Sequence, residues 1–184
     1  LINTFGTHSI TNCVILNPFC GGGDNSGAVQ YKPTKGVEAD EDFTFESSTI
    51  LGANGEDRVA IDFIKSTDNF VLRDITIMNC THGPCLMGCL IKPQSFTFDN
   101  FKFFNNKCSA SYGGGAAIWF DKPSFDPTQI TFSGCIFRNN NAVKNNAVQE
   151  NHQGYGGALQ LGNTPENSQL IHYSVIDSTF EGNC

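Results

Sequence analysis

Apolar and polar residues alternate along this chain in short stretches, and the stretches recur. In Phe96–Asn106 the apolar positions Phe96 and Phe98 are followed, after Asp99-Asn100, by Phe101 and Phe103. The same spacing appears upstream as Phe70, Leu72, Ile75 and Ile77, and as Phe43, Phe45, Ser48 and Ile50. Downstream it appears as Ile130, Phe132, Cys135 and Phe137, then as Tyr173, Val175, Ser178 and Phe180. A degenerate first copy holds Ile10, Cys13 and Ile15. The interval from first to last marked position is seven residues in each of the five clear copies. Residues two apart share a face of a strand, whereas on a helix the same residues would scatter around the surface. Each copy therefore predicts two short strands. The pairs Glu46-Ser47, Arg73-Asp74, Asp99-Asn100 and Ser133-Gly134 form the corner between them.

A second motif follows each copy after a variable gap. It reads Gly27-Ala28-Val29-Gln30-Tyr31, then Val59-Ala60-Ile61-Asp62-Phe63, then Gly88-Cys89-Leu90-Ile91. The later copies are Gly115-Ala116-Ala117-Ile118-Trp119-Phe120 and Gly156-Gly157-Ala158-Leu159-Gln160-Leu161. Small residues permit close backbone approach at a bend, and the residues after them predict a third strand. One such unit has too little apolar surface to fold alone and must stack on its neighbours. The expected fold is all-β: a right-handed parallel β-helix of about six coils with three short strands per coil. Residues 1–184 are expected to form one section of it, a fragment of a longer chain. Intervals between the anchors Ile15, Ile50, Ile77, Phe103, Phe137 and Phe180 are 35, 27, 26, 34 and 43 residues, so loops absorb the variation. The longest insertion, 141–154, is polar and expected to project outward.

Stacking places Phe103, Phe137 and Phe180 in one internal ladder. Asn106, Asn140 and Asn183 each follow such a Phe by three residues and are expected to bond to one another at a repeated turn, with Cys80 in the equivalent place. Gln30, Asp62, Ile91, Trp119 and Gln160 are expected to share one outward column of the third strands.

Composition narrows the function. A net charge of −7 with three Arg argues against nucleic acid as a partner, since phosphate contacts need clustered Lys and Arg. No apolar run reaches the ~20 residues of a membrane-spanning helix. Cys13, Cys20, Cys80, Cys85, Cys89, Cys108, Cys135 and Cys184 lack paired zinc-knuckle spacing, which makes them disulfide candidates and points to an oxidising, extracellular or cell-surface location. Asn79-Cys80-Thr81 is a glycosylation candidate at Asn79. The four His lack the spacing of a metal or acid–base site, and the runs 21–23 and 113–115 of glycine lack the Lys-Ser/Thr of a phosphate cradle. No metal or cofactor is expected.

The motifs Phe103-Phe-Asn-Asn106, Phe137-Arg-Asn-Asn140 and Phe180-Glu-Gly-Asn183 match Phe-x-x-Asn, and Gly114-Gly115-Ala116-Ala117-Ile118 and Gly156-Gly157-Ala158-Leu159 match Gly-Gly-Ala-Ile/Leu. Their alternation resembles the repeats of polymorphic outer membrane proteins, which are β-helical adhesins, over about the last half of the chain. The first half, with Ser48-Thr-Ile-Leu-Gly52 and Asn69–Asn79, resembles pectin-lyase-like helices. The resemblance implies the fold and a non-catalytic structural or adhesive surface protein, with protein partners, self-assembly or glycans as what it meets. The alternative is a pectin-lyase-like polysaccharide lyase or glycoside hydrolase, which needs paired carboxylates or a base beside calcium on one face. Its candidates are Asp57, Asp62, Arg73, Asp74, Asp99 and Asp121, a set too dispersed for a catalytic column, so no catalytic residue is assigned. Glycan binding without cleavage would use Trp119 and Tyr155 as stacking platforms.

Overall fold

The computed structural model describes residues 2–4, 8–20, 27–31, 43–55, 60–66, 70–82, 86–90, 95–108, 118–121, 128–142, 157–160 and 171–184. These residues form strands and turns without a helix, and every strand pair is parallel. Sheet A holds Ile2–Thr4, Val29–Tyr31, Ile61–Ser66, Leu86–Leu90, Ile118–Asp121 and Leu159–Gln160. Sheet B holds His8–Thr11, Phe43–Glu46, Phe70–Arg73, Ser95–Asp99, Thr128–Ser133 and Ile171–Ile176. Sheet C holds Val14–Leu16, Thr49–Leu51, Thr76–Met78, Lys102–Phe104, Ile136–Arg138 and Thr179–Glu181. Sheet D is built from the two-residue strands Phe19–Cys20, Asn54–Gly55, Thr81–His82, Lys107–Cys108 and Asn141–Ala142. In each sheet the strands follow one another in chain order, so each repeat pairs with the next.

The anchors Ile15, Ile50, Ile77, Phe103, Phe137 and Phe180 are Cα partners in one continuous register. Ile10, Phe45, Leu72, Phe98, Phe132 and Val175 form the parallel column in sheet B. The inward members of both columns are buried over most of the stack, with Phe45, Phe98, Phe103, Phe132 and Phe137 among the largest fully buried side chains. Burying one such ring stabilises the chain by about 1.5–3 kcal/mol. The rings of Phe103 and Phe137 stack at 5.2 Å, and those of Phe137 and Phe180 at 4.8 Å. These separations follow the strand spacing of about 4.7–4.9 Å.

Both corners of the repeat have a single cause. The residue between sheets B and C is Asn12, Ser47, Asp74, Asn100, Gly134 or Asp177, and each has positive φ. Between sheets C and D it is Asn17, Gly52, Asn79, Asn105, Asn139 or Gly182, again with positive φ. Asn, Asp and Gly tolerate this left-handed conformation best, which is why they fill eleven of the twelve places. Ladder hydrogen bonds continue through the corners: Asp74 N donates to Asp99 O, and Asn79 N donates to Phe104 O, both at 3.0 Å.

Two expectations need correction. Each full repeat carries four strands rather than three, because the chain pairs for two more residues after the second corner before leaving the stack. A two-residue strand has no alternation to betray it. The alignment of 88–91 with the other third strands is also displaced: Gly88 pairs with Phe63 and Phe120, so Met87 rather than Ile91 stands in the column with Gln30, Asp62, Trp119 and Gln160. Only residues 83–85 separate Thr81–His82 from Leu86–Leu90, so the chain re-enters sheet A sooner than its small-residue signature suggests.

Two glycines make a testable contrast. A Cβ at Gly157 would lie 2.5 Å from both the backbone N and the carbonyl O of Cys184. At Gly134, φ is +61° but nothing lies within 4 Å of that position. Gly157→Ala should displace the Asn183-Cys184 segment and lower the urea midpoint. Gly134→Asn, which copies Asn100 one repeat earlier, should change stability by less than about 1 kcal/mol.

Candidate functional site

Inside the stack the aligned asparagine side chains are used up structurally. The Nδ2 of Asn106 donates to Ile77 O at 3.2 Å and to Asn140 Oδ1 at 2.9 Å. The Nδ2 of Asn140 donates to Phe103 O at 3.1 Å and to Asn183 Oδ1 at 2.9 Å, and that of Asn183 to Phe137 O at 2.8 Å. Each Asn Oδ1 also accepts a backbone N–H from the preceding repeat: Cys80 N to Asn106, Asn106 N to Asn140, and Asn140 N to Asn183. A second device sits at the first corner. Ser48 Oγ accepts from Cys13 N at 3.1 Å and donates to Glu46 O at 2.7 Å, and Ser178 Oγ does the same for Cys135 N and Ile176 O. The signal for this second device was a hydroxyl standing in an otherwise apolar inward column, a sign of a buried bond to backbone.

The cysteines divide by position. Cys13 and Cys135 share the inward corner column, with Ser48, Ile75 and Phe101 between them. Four strand spacings of about 4.8 Å separate them, far beyond the roughly 4.4–6.8 Å between Cα atoms that a disulfide spans. Cys20 and Cys108 share a sheet D column but are separated by Gly55 and His82. Among the described residues, Cys13, Cys135 and Cys184 stand as free thiols. Stacking in register places like columns together and keeps their cysteines apart. Cys80 Sγ lies 3.8 Å from Met78 O, in the asparagine column. Burial pushes the Cys135 thiol above its usual range, which keeps it protonated and unreactive. Cys85 lies outside the described residues, and Cys20, Cys89 and Cys108 are placed by backbone register alone.

Outside the stack, one group of charged residues gathers at the first corner. Glu46, Arg73 and Asp99 are consecutive partners in sheet B, and Arg73 Nε bonds Glu46 Oε2 at 2.5 Å. That bond, then the Glu46 charge, raises the Arg73 pKa. Asn100 Nδ2 donates to Asp74 Oδ1 at 2.5 Å. The carboxylates of Glu46 and Asp74 are thus each held by a neighbour, and the group is an exposed polar seam. Arg138 pairs with Glu181 at 2.7 Å, and its guanidinium carbon lies 6.0 Å from the Phe104 ring centroid.

Of the candidate catalytic residues, Arg73, Asp74 and Asp99 meet at the first corner, whereas Asp62 and Asp121 stand apart from them in sheet A and in different columns. Asp62 and Trp119 belong to one column, through Met87, whereas Asp121 pairs with Cys89 in another. Gln30, expected to face outward in that column, is fully buried. Asp57, Ile91 and Tyr155 lie outside the described residues, as does most of the insertion at 141–154. Among the described residues, no group of three or more His, Cys, Asp or Glu could hold a metal ion, and no helix is long and apolar enough to cross a membrane. No protein-family model, curated protein or solved structure matches this chain.

Proposed function

We propose that this chain is a section of a right-handed parallel β-helix belonging to a non-catalytic, extracellular structural or adhesive surface protein that works by presenting loops. The repeats resembling those of polymorphic outer membrane proteins support that reading, and one observation carries it. From His8 to Cys20, Phe43 to Gly55, Phe70 to His82, Phe96 to Cys108 and Ile130 to Ala142, the path through sheets B, C and D has a constant length of 13 residues. All variation in repeat length falls in the two connections that flank sheet A. The connection entering sheet A runs from residues 83–85 at its shortest to 143–158 at its longest. The one leaving it runs from 67–69 to 32–42.

A scaffold of fixed cross-section with variable segments confined to one side holds those segments at set heights along a stiff stack. The partner would be a protein, a further copy of the chain, or a glycan, met on the sheet A side. The folded full-length protein, incubated with a panel of acidic and neutral polysaccharides, is expected to release no new chain ends. Cleavage that disappears in Asp62→Asn or Asp121→Asn would make the protein a glycan-cleaving enzyme and overturn this account.

A further inference from the structure

We infer that Asn79 is an acceptor for N-linked glycosylation, and that it accepts its glycan before residues 95–108 dock against the repeat that contains it. Asn79-Cys80-Thr81 is the only Asn-x-Ser/Thr triplet in the 184 residues. The fold treats its three members differently. Asn79 sits at the second corner with φ +56° and an exposed side chain. Among the described residues nothing bonds its amide, in contrast to Asn106, Asn140 and Asn183, whose amides are all engaged. One repeat earlier, the same corner holds Gly52, which has no side chain to crowd a sugar. Cys80 is buried, and Thr81 is half-buried in sheet D.

The backbone of the triplet is locked on both sides. Asn79 N donates to Phe104 O, Cys80 N to Asn106 Oδ1, and Thr81 N to Ala53 O. A transferase that must grip the triplet in an open conformation therefore has access only while the following repeat is undocked. The finished fold then tolerates the glycan because the Asn79 side chain is exposed. In the transfer, the Asn79 amide nitrogen forms a bond to the anomeric carbon of a lipid-diphosphate-linked oligosaccharide. The sugar–phosphate C–O bond breaks, the lipid diphosphate leaves, and the amide gives up one proton.

The inference rests on the extracellular reading only for whether the natural chain meets such a transferase. The test is expression of the full chain behind a secretion leader in eukaryotic cells. A gel shift removable by peptide-N-glycosidase, with Asn79 converted to Asp on removal, is the expected result. Asn79→Gly, which keeps a residue suited to the left-handed corner, and Thr81→Val should both lose the shift and still be secreted with a β-rich spectrum. A folded, secreted chain bearing no glycan at Asn79 would overturn the inference. Bacterially produced chain, offered to the transferase with its lipid-linked donor, should be modified when unfolded and not when folded. Equal modification of both would overturn the order of events. If protein from its natural source lacks the glycan while the leader-driven chain carries it, the extracellular reading fails and the acceptor assignment stands.

Discussion

Phe137→Ala is expected to cost about 3–5 kcal/mol, the range for deleting a buried aromatic ring. Phe137 is fully buried. Its ring lies between those of Phe103 and Phe180 and meets Phe132 edge-on at 6.3 Å. Truncation removes transfer free energy, leaves a cavity that the fixed strand spacing cannot close, and breaks two stacked contacts that each contribute about 0.5–1.5 kcal/mol beyond area. Against a total stability of about 5–15 kcal/mol this is a large share. Repeats contact mainly their neighbours, so the loss should be local as well as global. Amide exchange should accelerate most in 128–142 and 171–184, with a lower urea midpoint overall.

Asn140→Ala is expected to cost about 3 kcal/mol despite removing no apolar surface. Asn140 is fully buried. Without its side chain, Asn106 loses the acceptor for both its backbone N–H and its Nδ2, and Phe103 O loses a donor. Each buried group left unsatisfied costs about 1–3 kcal/mol. The control is Lys107→Ala, at an exposed strand position, which should stay within about 0.5 kcal/mol. Asn140→Asp adds a sign to the test. Burial raises a carboxyl pKa above its unfolded value of about 3.9. The native state then binds the proton more tightly, so the variant should be least perturbed below that pH and lose stability as pH rises through the folded pKa. Urea midpoints measured across pH decide it, and a pH-independent deficit would mean that the position is open to solvent.

The columns were legible in the chain because period-two alternation and a seven-residue interval are local properties, carried by residues such as Phe96, Phe98, Phe101 and Phe103 without reference to the rest of the molecule. The asparagine column was legible for the same reason: its offset from the anchor is constant. The left-handed corners were only half visible. Asp74 and Asn100 stand at polar corner pairs, but Asn17, Asn79, Asn105 and Asn139 gave no sign of positive φ apart from residue type.

The sequence by itself determined which residues face inward in sheets B and C, because burying one face of each short strand forces a single register. Only the tertiary structure decided where the strand Leu86–Leu90 falls in sheet A. The connections into it vary from 83–85 to 143–158, and no local period crosses a loop, so the register of Leu86–Leu90 depends on the strands already laid down at 61–66. It also decided that the cysteines at 13 and 135 remain apart. Proximity along a stack depends on which column and which repeat a residue occupies, and the columns of sheet A are set by pairing between repeats.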